Sequence, residues 1–260
     1  MTLAPGTAAH TRIHTALDNL EQIHGIHVLW ACESGSRAWN FASPDSDWDV
    51  RLIYVHPRDW YLSVHEGRDV VELPIDEGLD LNGWDLRKSL RLLDKANAAL
   101  QEWLVSPIVY RAPEPAGWLR ALAAEDFQPL SACHHYAALA RRGLGAIDAA
   151  GVVRLKRYCY ALRAVLCCQW VVEHQTQPPL PIDALLADLL PEGDTRTAVD
   201  QLLVNKRAGG EGNISPRLPA LDSYLHATLA HLEPRFPRNP PKLPRERLDG
   251  LFRAVLDWRG

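Results

Sequence analysis

Apolar residues recur in two rhythms along this chain, and the change from one to the other falls near residue 112. Before it, helical and alternating patterns are interleaved. In HTRIHTALDNLEQIH, Ile13, Leu17, Leu20 and Ile23 stand at helical spacing, which predicts an amphipathic helix covering one face of a sheet and ended by Gly25. An apolar strand over residues 26–31 follows, then a Gly-Ser turn, a polar loop and a second strand running into RLIYV. Pro57 opens a short helix in PRDWYLSVHEG, with Trp60, Tyr61 and Leu62 expected against the sheet. RDVVELPI alternates as a strand, DEG turns, and LDLNGW reads as a further strand. Leu86, Leu90 and Leu93 then mark a helix, and Asn97 caps AALQEWLVS.

Pro113, Pro115 and Gly117 break the periodicity, so two domains are expected, residues 1–112 and 113–260. Past the break the strand patterns vanish. Helices are expected over residues 116–124, 131–149, 152–175, 182–190, 195–208 and 218–232. PRFPRNPPKLP is a proline-rich basic segment that reads as an extended arm. The last helix carries Leu248, Leu251, Phe252 and Val255 on one side, and docking on its own helical lobe is the expectation.

Composition narrows the class without deciding it. Hydrophobic residues make up 47% and charged residues 23%, the balance of a soluble globular protein. A formal net charge of −4 argues against a protein that coats nucleic acid through bulk electrostatics, so any RNA contact must come from local basic patches. The five cysteines form no Cys-x-x-Cys and read as buried thiols of a reducing compartment. No apolar run is long enough to span a bilayer, and MTLAPGTAAHTR lacks a signal-peptide hydrophobic region. A cytoplasmic protein with no membrane contact is therefore expected.

The chemistry concentrates in residues 26–55, IHVLWACESGSRAWNFASPDSDWDVRLIYV. Asp47 and Asp49 open the second strand two residues apart, so they project to one side, roughly 7 Å apart along the backbone. Carboxylates so placed can share divalent cations, and Mg²⁺ takes oxygen ligands while keeping waters and substrate phosphates in its shell. Upstream, Gly35 permits a tight turn, and Ser36 adds a hydroxyl and a backbone N–H suited to a phosphate oxygen. A lone Gly-Ser is usually a turn and a lone Asp-x-Asp usually a solvated strand end. In this order, between two apolar strands, they are less ordinary.

Gly35, Ser36, Asp47 and Asp49 match the pattern of the DNA polymerase β-like nucleotidyltransferase superfamily, in which a strand and Gly-Ser precede Asp-x-Asp on the next strand. ESGSRAWNFASPDSDWDVRLIYVHPRDWYLS, LDLNGWDLRKSLRLL and EWLVSPIVY further resemble the bacterial and phage nucleotidyltransferases that include RNA-ligase-associated members. The resemblance covers most of the chain. It implies an α/β (α+β) nucleotidyltransferase lobe with a mixed sheet, followed by an all-α helical lobe. It also implies Mg²⁺ or Mn²⁺ on Asp47, Asp49 and a third carboxylate from a later strand. Asp80, in LDLNGW, is favoured for that third place; Asp85, immediately before the Leu86 helix, has the competing reading of an N-cap.

Arg37, beside the Gly-Ser turn, is a candidate to help hold a triphosphate, and by the same resemblance Lys156 contacts phosphate and Tyr160 stacks on or hydrogen-bonds the base. Lys156, Tyr160 and Arg163 recur at four and three residues and so share a helix face. The plain readings are a structural arginine in a polar loop and a solvated basic face. His134 and His135 are adjacent and point to different sides, and His174 and His226 are expected to stand alone at the surface. The function implied is transfer of NMP from an NTP to an acceptor hydroxyl or phosphate, with an RNA end, as in RNA repair, among the acceptors. A non-catalytic module binding NTP or RNA ends, and a partner protein of an RNA ligase, remain the rival readings.

Overall fold

The computed structural model describes residues 8–76, 78–149, 151–209 and 212–258. Glu77 of the DEG turn and the first residues of MTLAPGTAAHTR lie outside them. Two compact units emerge, neither continuous in sequence. One contains the chain up to Gly35, Asp47–Asp126 and the chain from Lys242 on; the other contains Ser36–Ser46 and Phe127–Pro241.

The first unit is built on a five-stranded mixed sheet of order β3-β4-β2-β1-β5. Its strands are β1 (His27–Glu33), β2 (Trp48–Val55), β3 (Val70–Glu72), β4 (Leu79–Asp85) and β5 (Val109–Arg111). β2 runs antiparallel to β1 and parallel to β4. Strand alternation then sorts the core. Val50, Leu52 and Tyr54 of β2 pack with Ile13, Leu17 and Leu20 of α1 (Ala8–His24). Ile53 and Val55 pack on the opposite face with Leu90 and Leu93 of α4 (Leu86–Asp94), Trp103 of α5 (Ala98–Leu104) and Leu119 of α6 (Glu114–Glu125). Each fully buried leucine, such as Leu17, contributes about 2 kcal/mol relative to exposure. Local capping agrees with this packing, since Asn97 Oδ1 accepts from Leu100 N–H at 3.0 Å at the start of α5. Ile23 departs from the expected stripe, being 76% exposed in the last turn of α1.

Two short helices punctuate this part of the chain, α2 (Gly35–Ala38) and α3 (Arg58–Tyr61). Tyr61 packs against the core beside α4, whereas Leu62, expected there too, is 72% exposed. His56, just before α3, stacks on Trp60 with ring centroids 3.9 Å apart, and its Nε2 is buried without a hydrogen-bond partner. Burial, reinforced by His24, lowers its pKa from 6.5 to about 4. Between those values the unfolded chain binds the extra proton, so stability is full above pH 6.5 and declines as pH falls toward 4. Urea midpoints of wild type and His56→Phe are expected to diverge over that window, with the variant losing less between pH 7 and pH 5.

The second unit is helical: α7 (Pro129–Asp148), α8 (Leu155–His174), α9 (Ile182–Leu189), α10 (Asp194–Ala208) and α11 (Pro219–Leu232). α8 is its axis, buried on nearly every side, with Tyr158, Leu162, Val165 and Leu166 fully enclosed. Residues 152–154, expected as the first turn of that helix, instead form a short strand β6 (Val152–Arg154) paired antiparallel with β7 (Ile214–Pro216). Two consecutive β-branched valines favour the extended form, and Leu155 N–H donates to Asn213 O where the helix starts.

Three segments fall on the other side of the division from that expected with a boundary near residue 112, the first being Ser36–Ser46, which goes with the helices. α6 lies with the sheet because Leu119 and Leu122 fill the same core as Leu29 and Trp30. The C-terminal helix α12 (Arg245–Asp257) also joins the sheet unit rather than the helical one. Leu248 and Val255 enter that core, Arg247 pairs with Glu125 at 2.8 Å, and Arg58 pairs with Asp257. α4 and α6 offer α12 an apolar surface, so its hydrophobic side is covered there. Among the described residues no helix is long and apolar enough to cross a membrane. All five cysteines are buried thiols outside any disulfide.

Candidate functional site

The parallel pairing of β2 with β4 sets Asp49 directly opposite Asp80. Both side chains are about 30% exposed, at 29% and 30%, so they reach solvent at the rim of the sheet. Asp47 precedes β2 and is exposed; its Oδ1 lies beside Gly78 at the start of β4, where Trp48 N–H donates to Gly78 O at 2.7 Å. Asp47, Asp49 and Asp80 thus gather along adjoining strand ends within one unit. Carboxylate oxygens are the donors that Mg²⁺ and Mn²⁺ take, but these three are not among the described side chains whose ligand atoms all lie within 4.8 Å of one another.

Gly35 is placed by two constraints. Its φ of +60° is one that side chains rarely adopt, and a Cβ there would stand 2.2 Å from Asp49 Oδ2. Ser34 N–H donates to Asp49 O at 2.8 Å, which fastens the turn to the strand. Beneath it lies Glu33, fully buried. Its Oε1 accepts from Asp49 N–H at 2.9 Å and its Oε2 from the Tyr110 hydroxyl at 2.5 Å, while Ser106 Oγ donates to its carbonyl. A buried carboxylate is tolerated only when hydrogen-bonded in this way, and here it braces β1, β2 and β5 under the aspartates.

Arg51 completes this group. It lies two residues after Asp49 on the same strand face, and its Nη2 donates to Asp80 Oδ2 at 2.8 Å and Asp49 Oδ1 at 3.3 Å. Asp85, by contrast, has the N-cap part. It is fully buried, Oδ1 accepts from Arg87 N–H at 2.8 Å, and Oδ2 accepts from the Tyr61 hydroxyl at 2.5 Å. Burial raises its pKa, against the pull of those hydrogen bonds.

Ser36, Arg37, Lys156 and Tyr160 belong to the helical unit. There the loop from Ser36 to Ser46 is bound to the helices at several points. Phe41 is fully buried in the helical core, Ile182 N–H donates to Trp39 O at 2.9 Å, and Arg207 donates to Asn40 O. Ser43 to Ser46 is a turn with Pro44 at its second position, closed by Ser46 N–H to Ser43 O at 3.1 Å. Asp45 occupies that turn. Arg37 Nη2 donates to Ser46 O at 2.5 Å, and the buried Lys206 donates from Nζ to Ser43 Oγ at 2.8 Å.

Lys156 Nζ sits 5.6 Å from the Tyr160 ring centre, and Tyr160 meets Trp39 edge-on at 5.1 Å. Arg163, the third member of the expected strip, is buried with its guanidinium 4.3 Å over Trp39, a packed position unlike a solvated face.

Glu33, Arg51 and Lys206 escaped sequence reasoning, although each left a signal. Glu33 stands two residues before Gly35, Arg51 shares the alternation of Asp47 and Asp49, and Lys206 falls in the apolar helical series Val199, Leu202, Leu203. Elsewhere, His174 does not stand alone: its Nε2 lies 2.7 Å from Asp188 Oδ2, and Glu173 is close enough that the three ligand atoms lie within 4.8 Å of one another, all exposed. His226 pairs with Asp148 at 3.0 Å.

A mixed sheet carrying a glycine turn and facing aspartates on parallel strands, joined to a helical unit, defines a polymerase β-like nucleotidyltransferase fold. The model of the family described as "RNA repair pathway DNA polymerase beta family" matches residues 9–254, and the chain belongs to that family. The uncharacterized protein YcgL of Bacillus subtilis (strain 168) is 41% identical over 222 residues, covering 85% of each chain. A nucleotidyltransferase-like protein from Exiguobacterium sibiricum 255-15, known as a crystal structure, aligns over 86% of this chain and 74% of its own at 15% identity, with a TM-score of 0.30.

Proposed function

We propose that this protein is a metal-dependent nucleotidyltransferase that moves NMP from an NTP to an acceptor hydroxyl or phosphate. The family's description favours an RNA end as that acceptor. The observation that carries the reading is the register of Asp49 against Asp80, with Asp47 just upstream and Gly35 packed on Asp49.

In this scheme Asp47, Asp49 and Asp80 hold Mg²⁺ or Mn²⁺. A metal held by these carboxylates would supply charge neutralisation to the phosphoryl transfer. Glu33 keeps the Asp49 backbone fixed, and Gly35 leaves the space its carboxylate needs. Ser36 and Arg37 offer a hydroxyl, an N–H and a cation of the kind that takes phosphate oxygens. Lys156 is assigned to phosphate and Tyr160 to the base. Catalysis is then positioning and charge stabilisation, with the acceptor oxygen displacing pyrophosphate at the α-phosphorus.

A panel of the four α-³²P-labelled NTPs, offered with RNA ends, tRNA and protein acceptors in Mg²⁺ or Mn²⁺, tests this. Label on an acceptor with release of pyrophosphate is the expected result. Metal-dependent nucleotide binding without turnover would favour a regulatory module instead. A ligase partner acting through the C-terminal helix is the weaker rival, since Leu248 and Val255 of that helix are already buried.

A further inference from the structure

Arg51 occupies a place that a metal ligand set would not ordinarily leave to a side chain. One nitrogen, Nη2, lies within hydrogen-bond reach of Asp80 Oδ2 and Asp49 Oδ1, at 2.8 and 3.3 Å. The other, Nη1, donates to two backbone carbonyls, Val50 O and Asp80 O, both at 3.0 Å. The guanidinium is thus held to the sheet by one half and faces the carboxylates with the other. Its side chain is 19% exposed, more enclosed than either partner. A divalent cation shared by the same two oxygens needs the gap between them, since Mg²⁺–oxygen bonds are about 2.0 to 2.1 Å. Two positive groups do not share that gap, because desolvated like charges repel over several ångströms.

We propose that Arg51 is the resident counter-cation of the Asp49–Asp80 pair, a positioning residue that holds the two carboxylates together before metal binds and yields Nη2's place when it does. The inference rests on the metal-binding reading above and adds a competition to it. Facing carboxylates repel when no cation lies between them, and Arg51 offsets that repulsion within the folded sheet. The cost is metal affinity, because every entering ion must first take the two oxygens from the guanidinium. Its two backbone contacts provide a pivot, so the side chain can withdraw from the carboxylates without leaving the strand.

The test uses the full chain and Mn²⁺, read by the loss of the free-ion electron paramagnetic resonance signal and, separately, by the melting temperature in EDTA and in Mn²⁺. Arg51→Met is expected to bind Mn²⁺ roughly tenfold more tightly than wild type, the factor that corresponds to about 1.4 kcal/mol. It should also melt lower in EDTA and gain more from Mn²⁺ than wild type does. Arg51→Lys, which keeps the charge but loses the fork that grips backbone and carboxylates at once, should fall between them. Equal or weaker Mn²⁺ binding by Arg51→Met, with binding still lost in Asp80→Asn, overturns the competition and leaves the metal site standing. No Mn²⁺ binding by wild type or variant overturns the metal reading and this inference with it. Should Arg51→Met fail to fold even in Mn²⁺, Arg51→Lys decides by the same comparison.

Discussion

Asp49→Asn is expected to lower transfer of label from an α-³²P NTP by roughly a thousandfold or more, the scale on which removal of one transition-state charge partner acts. Asparagine keeps the shape of the side chain and the backbone N–H that donates to Glu33 Oε1. What it removes is the negative oxygen, which a hard divalent cation needs and an amide replaces poorly. The fold should barely register the change. Asp49 is partly exposed and its contact with Arg51 is the longer of that residue's two, so stability should move by no more than about 1 kcal/mol. Circular dichroism melts alongside the transfer assay separate the two effects. Asp85→Asn is the contrast: it touches a fully buried cap and the Tyr61 hydroxyl, so it should cost stability while the folded protein keeps its activity. An Asp49→Asn protein that still transfers label would sink the assignment of this carboxylate.

Gly35→Ala should be nearly as damaging by a different route. A methyl group at that position meets Asp49 Oδ2 at 2.2 Å, far inside contact distance, so the carboxylate must move away from where Gly35 now lets it sit. Displacement of a reacting group by about 1 Å is enough to cost roughly a hundredfold in rate. The backbone adds strain, because φ of +60° costs an alanine about 1 to 2 kcal/mol. Gly25→Ala separates clash from strain. Gly25 has the same φ of +60°, but no atom lies within 4 Å of a Cβ built there. Both alanine variants are therefore expected to lose similar stability in urea, and only Gly35→Ala to lose transfer per folded molecule. Equal activity losses in the two would show that the turn, and not the carboxylate, is what alanine disturbs.

Much of this arrangement was legible along the chain because it is local. The Gly-Ser turn and Asp-x-Asp are a few residues each, and strand alternation already puts Asp47, Asp49 and Arg51 on one side. Asp85 announced itself as a cap by standing just before a helical apolar series, and the structure gives it that part. The placing of α12 and the missed Lys206 share a cause, which is that apolar periodicity says a face must be covered and not by what. Leu248 and Val255 predict such a face, yet α12 covers α4 and α6 of the sheet unit. Lys206 sits in an apolar series, and the arrival of Ser43 Oγ at its Nζ is something that series does not announce.

The amino-acid sequence by itself determined the kinds of element, the turn at Gly35, the acidic pair at the start of β2 and the change from sheet to helix, all of which depend on neighbours within a few residues. Only the tertiary structure decided that Asp80 lies opposite Asp49, that Glu33 is buried beneath them and that Arg51 bridges the pair. It also decided that residues 36–46 leave the sheet to join the helices. Those facts turn on strand register and on which surfaces meet, and register is set by the sum of many distant contacts rather than by any short stretch of chain.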